Sequence, residues 1–216
     1  MKAKMEKIDD QWLKDHRWML RTSHNGISFG GFKWNPIDEW TEAPDWKPTP
    51  SCGGGLHGIT PHFNRTDNFV YDRFELCEIE GDIIPIDGDK VKVRRAKIVA
   101  INADIPPLAF KLCGIKVKFD PQTRNCTYHK DTYGKISRFD RETRICTYRK
   151  DPDGTISRFD PQTGNRIYLR DPDGAICNFN RETGICSYLK APDGTIRRFD
   201  RKTVKEISKL TKKGKK

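Results

Sequence analysis

Apolar and polar positions recur with a period of twenty residues through the second half of the chain. Phenylalanine stands at Phe119, Phe139, Phe159, Phe179 and Phe199, tyrosine at Tyr128, Tyr148, Tyr168 and Tyr188, and isoleucine at Ile136, Ile156, Ile176 and Ile196. A fixed period of this length marks a repeat architecture, in which one small unit stacks on copies of itself. Each unit carries two turn signals. In the first, the residue after the Phe is Asp or Asn and a Thr follows three positions on, as in Asp120 to Thr123; the Asp or Asn side chain bonds the backbone two residues ahead. The second is Asp-Pro-Asp-Gly at 151–154 and 171–174, and Ala-Pro-Asp-Gly at 191–194. Proline suits the first central turn position and glycine the left-handed residue that closes a hairpin. Twenty residues less two turns leave two segments of about five or six residues, which is strand length. The pattern predicts five antiparallel β-hairpin repeats over 113–204, with Phe, Tyr and Ile in apolar ladders along one face.

The first half has no such period. Arg17 to Ser23, then His24-Asn25-Gly26, then Ile27 to Trp34 predict a hairpin, because Asn-Gly accepts the positive φ of a tight turn. Met5 to Leu13 is expected to be a short helix. Glu42 to Gly55 is too rich in Pro and Gly for regular structure, Phe69 to Glu80 is a strand, and Ile83 to Ile86 with Val91 to Ile101 form a second hairpin around Asp87-Gly88-Asp89. The expected fold is mostly β: a small α+β domain over 1–112, a stack of hairpin repeats over 113–204, and a basic tail over 205–216 that is disordered from Lys209 to Lys216.

Charge sharpens this division. Residues 1–112 hold 16 Lys and Arg against 17 Asp and Glu, which leaves 25 against 13 for 113–216, so the net charge of +11 belongs to the repeat half. Two basic columns run through the repeats. Lys118, Arg138, Arg158 and Arg198 precede the Phe, and Lys130, Lys150, Arg170 and Lys190 follow the Tyr by two. If hairpins lie side by side, each column places a cation about every 9.6 Å. Such a stripe would attract a nucleic acid or an acidic protein surface. Asp120, Asp140, Asp160 and Asp200 would screen the first column, and buried tyrosines could not stack on bases.

No stretch reaches the ~20 apolar residues of a membrane span, and Met1 to Asp10 is charged where a signal peptide is apolar. A cytosolic or virion-associated protein is expected. Seven cysteines, an odd number, point to reduced thiols, with Cys126, Cys146 and Cys186 as small hydrophobes in one repeat column. An open stack leaves strand edges through which copies could pair.

Chemistry, if present, belongs to the irregular half. Cys52-Gly53-Gly54-Gly55-Leu56-His57-Gly58 lets the backbone bend sharply or approach a ligand closely, but it lacks the G-x-x-x-x-G-K-[ST] of a phosphate loop. Cys52, His57, His62 and Cys77 are metal-ligand types at spacings that match no zinc pattern, so no metal is expected. Cys52 and His57 could form a nucleophile pair if they met with an orienting third group, and a tight turn fixed by His57 is the simpler reading.

Gly30-Gly31-Phe32-x-Trp34, Cys52-x-x-Gly55-Leu56-His57 and Glu75 to Gly81 together resemble a domain found in many phage and bacterial proteins, often joined to repeats. That resemblance spans about residues 17–102 and implies no activity. Arg21-Thr22-Ser23, Gly55 to Ile59 and Leu76 to Gly81 also resemble, in order, three landmarks of ADP-ribosyltransferase-like folds. That resemblance implies NAD as cofactor, with Arg21 anchoring it, His57 near the nicotinamide, and Glu78 or Glu80 catalytic. The chain lacks the Ser-Thr-Ser element of the arginine-type enzymes. Ile167-Tyr168-Leu169 followed by Gly174-Ala175-Ile176 is similar to choline-binding repeats, whose cages need Trp; the repeats here have none, and YD-like and MORN-like repeats share the same layout. The principal expectation is a non-enzymatic binding or scaffold protein in a virion or defence-related assembly, without a cofactor. Its basic repeats would engage an acidic macromolecule or protein, and an NAD-using enzyme is the alternative.

Overall fold

The computed structural model describes residues 7–24, 26–28, 30–63, 73–86, 90–200 and 206–210. The chain is mostly β and divides into two compact units, Met1–Tyr133 and Gly134–Lys216.

In the first unit a short helix α1 (Trp12–Asp15) leads into β1 (Trp18–Ser23), and β2 (Trp40–Glu42), β3 (Leu56–Gly58), β4 (Arg73–Ile86) and β5 (Lys90–Ile101) complete a five-stranded sheet. The helix starts later than expected because Asp9 Oδ1 accepts from the amides of Gln11 and Trp12, capping the turn there. The sheet order is β1-β4-β5-β2, and β3 also pairs with β5. At twelve residues, β5 holds β3 along Val91 to Val93 and β2 along Arg95 to Lys97.

A bridge between Leu20 and Ile59 then returns the chain from the end of β3 to β1, with amide-to-carbonyl distances of 2.8 Å both ways. The ring β1-β4-β5-β3 closes around a core of Met19, Leu56, Cys77, Ile79, Val91 and Val93, with Trp34 and Ile98. Gly58 permits that closure. A Cβ there would lie 2.6 Å from Met19 Sδ and 2.9 Å from the Leu20 carbonyl, closer than real side chains pack.

The predicted hairpin after β1 is only half formed. His24 and Ile27 exchange both backbone hydrogen bonds across the turn, but the returning segment makes single bridges and no strand. Asn25 lies outside the described residues. β1 instead finds its long partner in β4, with Trp18 opposite Glu78 and Ser23 opposite Arg73. β4 and β5 make one long hairpin. Residues 69–72 and the expected turn at 87–89 lie outside the described residues. The interruption expected between Glu80 and Ile83 is a bulge at Gly81, whose φ is +81°.

A 3₁₀ turn at Asn102–Asp104 and helix α2 (Pro107–Leu112), which the sequence reading did not foresee, follow β5. Both tie the first repeat to this unit. Asn102 Oδ1 accepts the Phe74 amide at 2.8 Å, and Asp104 pairs with Arg124. Beyond α2, β6 (Lys116–Phe119) and β7 (Cys126–Lys130) form the first hairpin. Phe74 meets Phe110, Phe119 and His129 edge-on, with ring centroids 5.3, 6.5 and 5.8 Å away.

In the second unit β8 (Ile136–Phe139), β9 (Cys146–Lys150), β10 (Ile156–Phe159), β11 (Arg166–Arg170), β12 (Ile176–Phe179), β13 (Cys186–Lys190), β14 (Ile196–Phe199) and β15 (Glu206–Leu210) pair antiparallel in chain order. Both turn signals act as expected. Asp140 Oδ1 accepts from the amides of Glu142 and Thr143 and from the Thr143 hydroxyl; Asp160 and Asn180 repeat the arrangement. At the other end Asp153 Oδ1 accepts the Thr155 amide, and Gly154, at φ +95°, closes the loop. Neighbouring turns also grip each other: Asn165 Nδ2 donates to the carbonyls of Arg181 and Glu182, and Arg181 pairs with Asp160 at 2.8 Å. Part of the expected tail is ordered: Glu206–Leu210 forms β15 and pairs with β14, while 211–216 lie outside the described residues.

Phe, Tyr and Ile do not share one ladder. A register shift before each Phe sets Phe139 opposite Cys146, Phe159 opposite Arg166 and Phe179 opposite Cys186. The tyrosines face the arginines instead, Tyr148 opposite both Arg138 and Arg158, and Tyr168 opposite Arg158 and Asn178. The bulge is the physical reason, since one extra residue moves the Phe out of the Tyr row.

Candidate functional site

Two places combine unusual chemistry with access. The first is a cleft of about 730 Å³ in the first unit, bounded by the end of β1, the loop through Phe32 and Trp34, the glycine run 53–55 and β3. Arg21 and His57 both line it.

Arg21 is 3% exposed and sits opposite Glu75, its partner on β4. The two side chains therefore leave the sheet on one face, and Arg21 Nε lies 3.1 Å from Glu75 Oε2. Glu75, fully buried, accepts at Oε1 from Arg73 Nε and from the Ser23 hydroxyl, each at 2.7 Å. The Arg21 guanidinium lies over the Trp34 ring, 3.8 Å from its centroid. Burial pulls the pKa of Arg21 below its ordinary value, and the Glu75 charge opposes that fall. Arginine starts so high that it stays charged.

The glycine run owes its course to Lys92, an entirely buried lysine opposite His57. Its Nζ donates to the carbonyls of Ser51 and Gly53 at 2.9 and 2.8 Å. Gly53, at φ +88°, takes a conformation that side-chain-bearing residues avoid. Lys90 Nζ reaches Cys52 Sγ at 3.5 Å, and Cys52 is exposed. His57 is held neutral: burial first, then Lys90 and Lys92, lower its pKa from 6.5 to about 4, with Asp45 opposing. Because the folded pKa lies below the unfolded one, the unfolded chain takes up the proton first as pH falls. The stability His57 contributes is complete above about pH 6.5 and drains away towards pH 4. Melting of the wild type and of His57→Gln at pH 7, 5 and 4 should show a shallower acid decline in the variant; equal declines would contradict this.

No protein-family model matches this chain, and no curated protein does.

Glu78 and Glu80 do not join the cleft. Strand parity puts them on the face of β4 opposite Arg21 and Glu75, where Glu78 pairs with Lys97 at 2.8 Å and Glu80 with Arg95. Nor do the four ligand types in the Cys52 to Cys77 segment converge. Cys77 is in the core, its thiol pKa raised by burial, whereas Cys52 and His62 are exposed. Among the described residues no group of three His, Cys, Asp or Glu is placed to hold a metal. Sequence reading missed Trp34, Glu75 and Lys92 as parts of this site. The available signal was a charged residue inside an apolar strand, Glu75 between Phe74 and Leu76 and Lys92 between Val91 and Val93.

The second place is one face of the second unit. Arg138 and Ile136 are two apart on a strand, as are Tyr148 and Lys150, and Arg138 pairs with Tyr148 while Ile136 pairs with Lys150. Both rows therefore share a face. One row reads Arg138, Tyr148, Arg158, Tyr168, Asn178, Tyr188, Arg198; the other alternates Ile136, Ile156, Ile176 and Ile196 with Lys150, Arg170 and Lys190. The two predicted basic columns thus lie side by side. Their arginines and lysines are exposed, and the tyrosines are half-buried rather than buried. Arg138 and Arg158 lie over the rings of Tyr148 and Tyr168, 5.2 and 5.3 Å from the centroids. In the first unit the hairpin of β6 and β7 repeats the motif alone, with exposed Lys118 opposite Tyr128 and half-buried Lys130 opposite Lys116.

Of the aspartates expected to screen the first column, Asp120, Asp140 and Asp160 are held in the turns. Backbone amides of the Thr and the next-nearest residue hold Asp140 and Asp160 below the usual carboxylate range. Asp160 is buried against Arg181. The cysteine column is structural, with Cys146 and Cys186 Sγ directed at the carbonyls of Tyr148 and Tyr188.

Proposed function

We propose that the protein is a non-enzymatic binding module whose repeats hold a single-stranded nucleic acid along the basic face of the second unit. The observation that carries this reading is the cross-strand alternation of exposed arginine with half-exposed tyrosine, flanked by a parallel row of Lys150, Arg170 and Lys190. Arginine and lysine neutralise phosphates, and a tyrosine face stacks on any base, so such a surface binds a strand with little sequence preference. An acidic protein would use the charges and leave the tyrosines without a role.

The test is binding of the full chain to a fluorescent oligonucleotide and to polyglutamate across a salt series. For a single strand, log K falls with log salt by about 0.7 for each phosphate contacted. Arg138, Arg158 and Arg198 changed together to Gln should weaken oligonucleotide binding and flatten the slope by about 2. Tyr148→Ala and Tyr168→Ala should weaken it with the slope unchanged. Polyglutamate binding as tight as oligonucleotide binding, and indifferent to the tyrosines, would make the partner an acidic protein. Salt-insensitive binding, or none, would remove the proposal.

A further inference from the structure

The Arg21 guanidinium is unfinished in a way that packing does not explain. Its Nε forms an ion pair with Glu75 Oε2, while Nη1, Nη2 and that Oε2 are buried and make no hydrogen bond among the described residues. An arginine serving only to neutralise Glu75 would present its fork to the carboxylate. Here Arg73 and Ser23 occupy the other carboxylate oxygen, and Arg21 lines the cleft. Buried charged donors left unpaired are costly, so native structures leave few of them. His57 Nε2, on another wall of the same cleft, is likewise buried without a partner among the described residues.

We propose that this cleft binds a small ligand through an oxyanion, a phosphate or a carboxylate, paired with the Arg21 guanidinium. A planar fork of donors matches two oxygens of either group. The surroundings agree. Arg73 and Arg21 together outweigh Glu75, Lys90 adds a further cation at the cleft, and Asp45 is the one carboxylate among the described lining residues. Neutral His57 can donate to or accept from the rest of the ligand without adding charge. Phe32, 37% exposed, with Leu56 and Ile59, gives the walls an apolar part. The volume suits a ligand well beyond a bare ion. Trp34 fixes the guanidinium plane from one side, so the site is set before the ligand arrives.

Calorimetric titration of the full chain with inorganic phosphate, pyrophosphate, succinate and citrate tests this. Saturable binding by the phosphates alone assigns a phosphate, and by the carboxylates alone a carboxylate. Arg21→Lys should weaken binding by about 10- to 100-fold, the range of charge-assisted hydrogen bonds. Should that variant fail to fold, Lys90→Glu, which leaves the Arg21–Glu75 pair intact, should still weaken it at least about fivefold. The variant with Arg138, Arg158 and Arg198 changed to Gln should bind these ligands as the wild type does, which separates this site from the repeats. No binding by any of the four at about 10 mM, or binding that Lys90→Glu leaves unchanged, would overturn the proposal.

Discussion

Replacing Glu75 by Ala is expected to destabilise the first unit by about 3–5 kcal/mol, the cost of leaving a buried charge without its partner. Arg21 is 3% exposed and cannot turn to water without breaking the packing around Trp34 and β1. The Ser23 hydroxyl would lose its acceptor as well, and with it the support for the turn at Gly26, whose amide donates to Ser23 Oγ at 3.1 Å. All five tryptophans lie between Trp12 and Trp46, so tryptophan fluorescence during urea unfolding reports this unit alone. The double variant Arg21→Met with Glu75→Leu should recover most of the loss, because an apolar pair of similar size removes both charges together. If Glu75→Ala alone costs under about 1 kcal/mol, the pair is not the buried anchor described above.

Phe74→Ala is the other large effect, again about 3–5 kcal/mol, the range for deleting a buried aromatic side chain. Phe74 is fully buried, and its ring is the common edge partner of Phe110, Phe119 and His129. Those contacts join β4, α2, β6 and β7, so the first repeat should open with the N-terminal sheet. Amide exchange would show it: protection in β6 and β7 should fall together with that of β4. Protection retained in β6 and β7 alone would mean that the first hairpin does not depend on Phe74.

The same contrast explains what could be read in advance. The repeats were legible because their order is local: each turn is written in residues such as Asp140 and Thr143 or Asp153 and Gly154, whose hydrogen bonds span two or three positions. The basic columns were legible too, but not the face they share. That depends on the register shift between Arg138 and Phe139, which puts Tyr148 beside Arg138 and moves Phe139 away. Arg21 and His57 stood out as residue types at suggestive places. Glu78 and Glu80 stood out equally, and strand parity alone sends them to the other face.

What the chain decides by itself is therefore the repetition of the second half, its turns, its positive charge and the contrast with a tryptophan-bearing first half. The tertiary structure decided the closure of β3 onto β1 through Gly58, the capture of the first repeat by Phe74 and Phe110, and the meeting of Arg21 with Glu75 across 54 residues. The physical reason is range. Turn chemistry and strand periodicity act over a few neighbouring residues and leave a mark at every repeat. The cleft is assembled from β1, the loop through Trp34, the glycine run and β4, segments far apart in the chain that acquire a common environment only when the sheet closes.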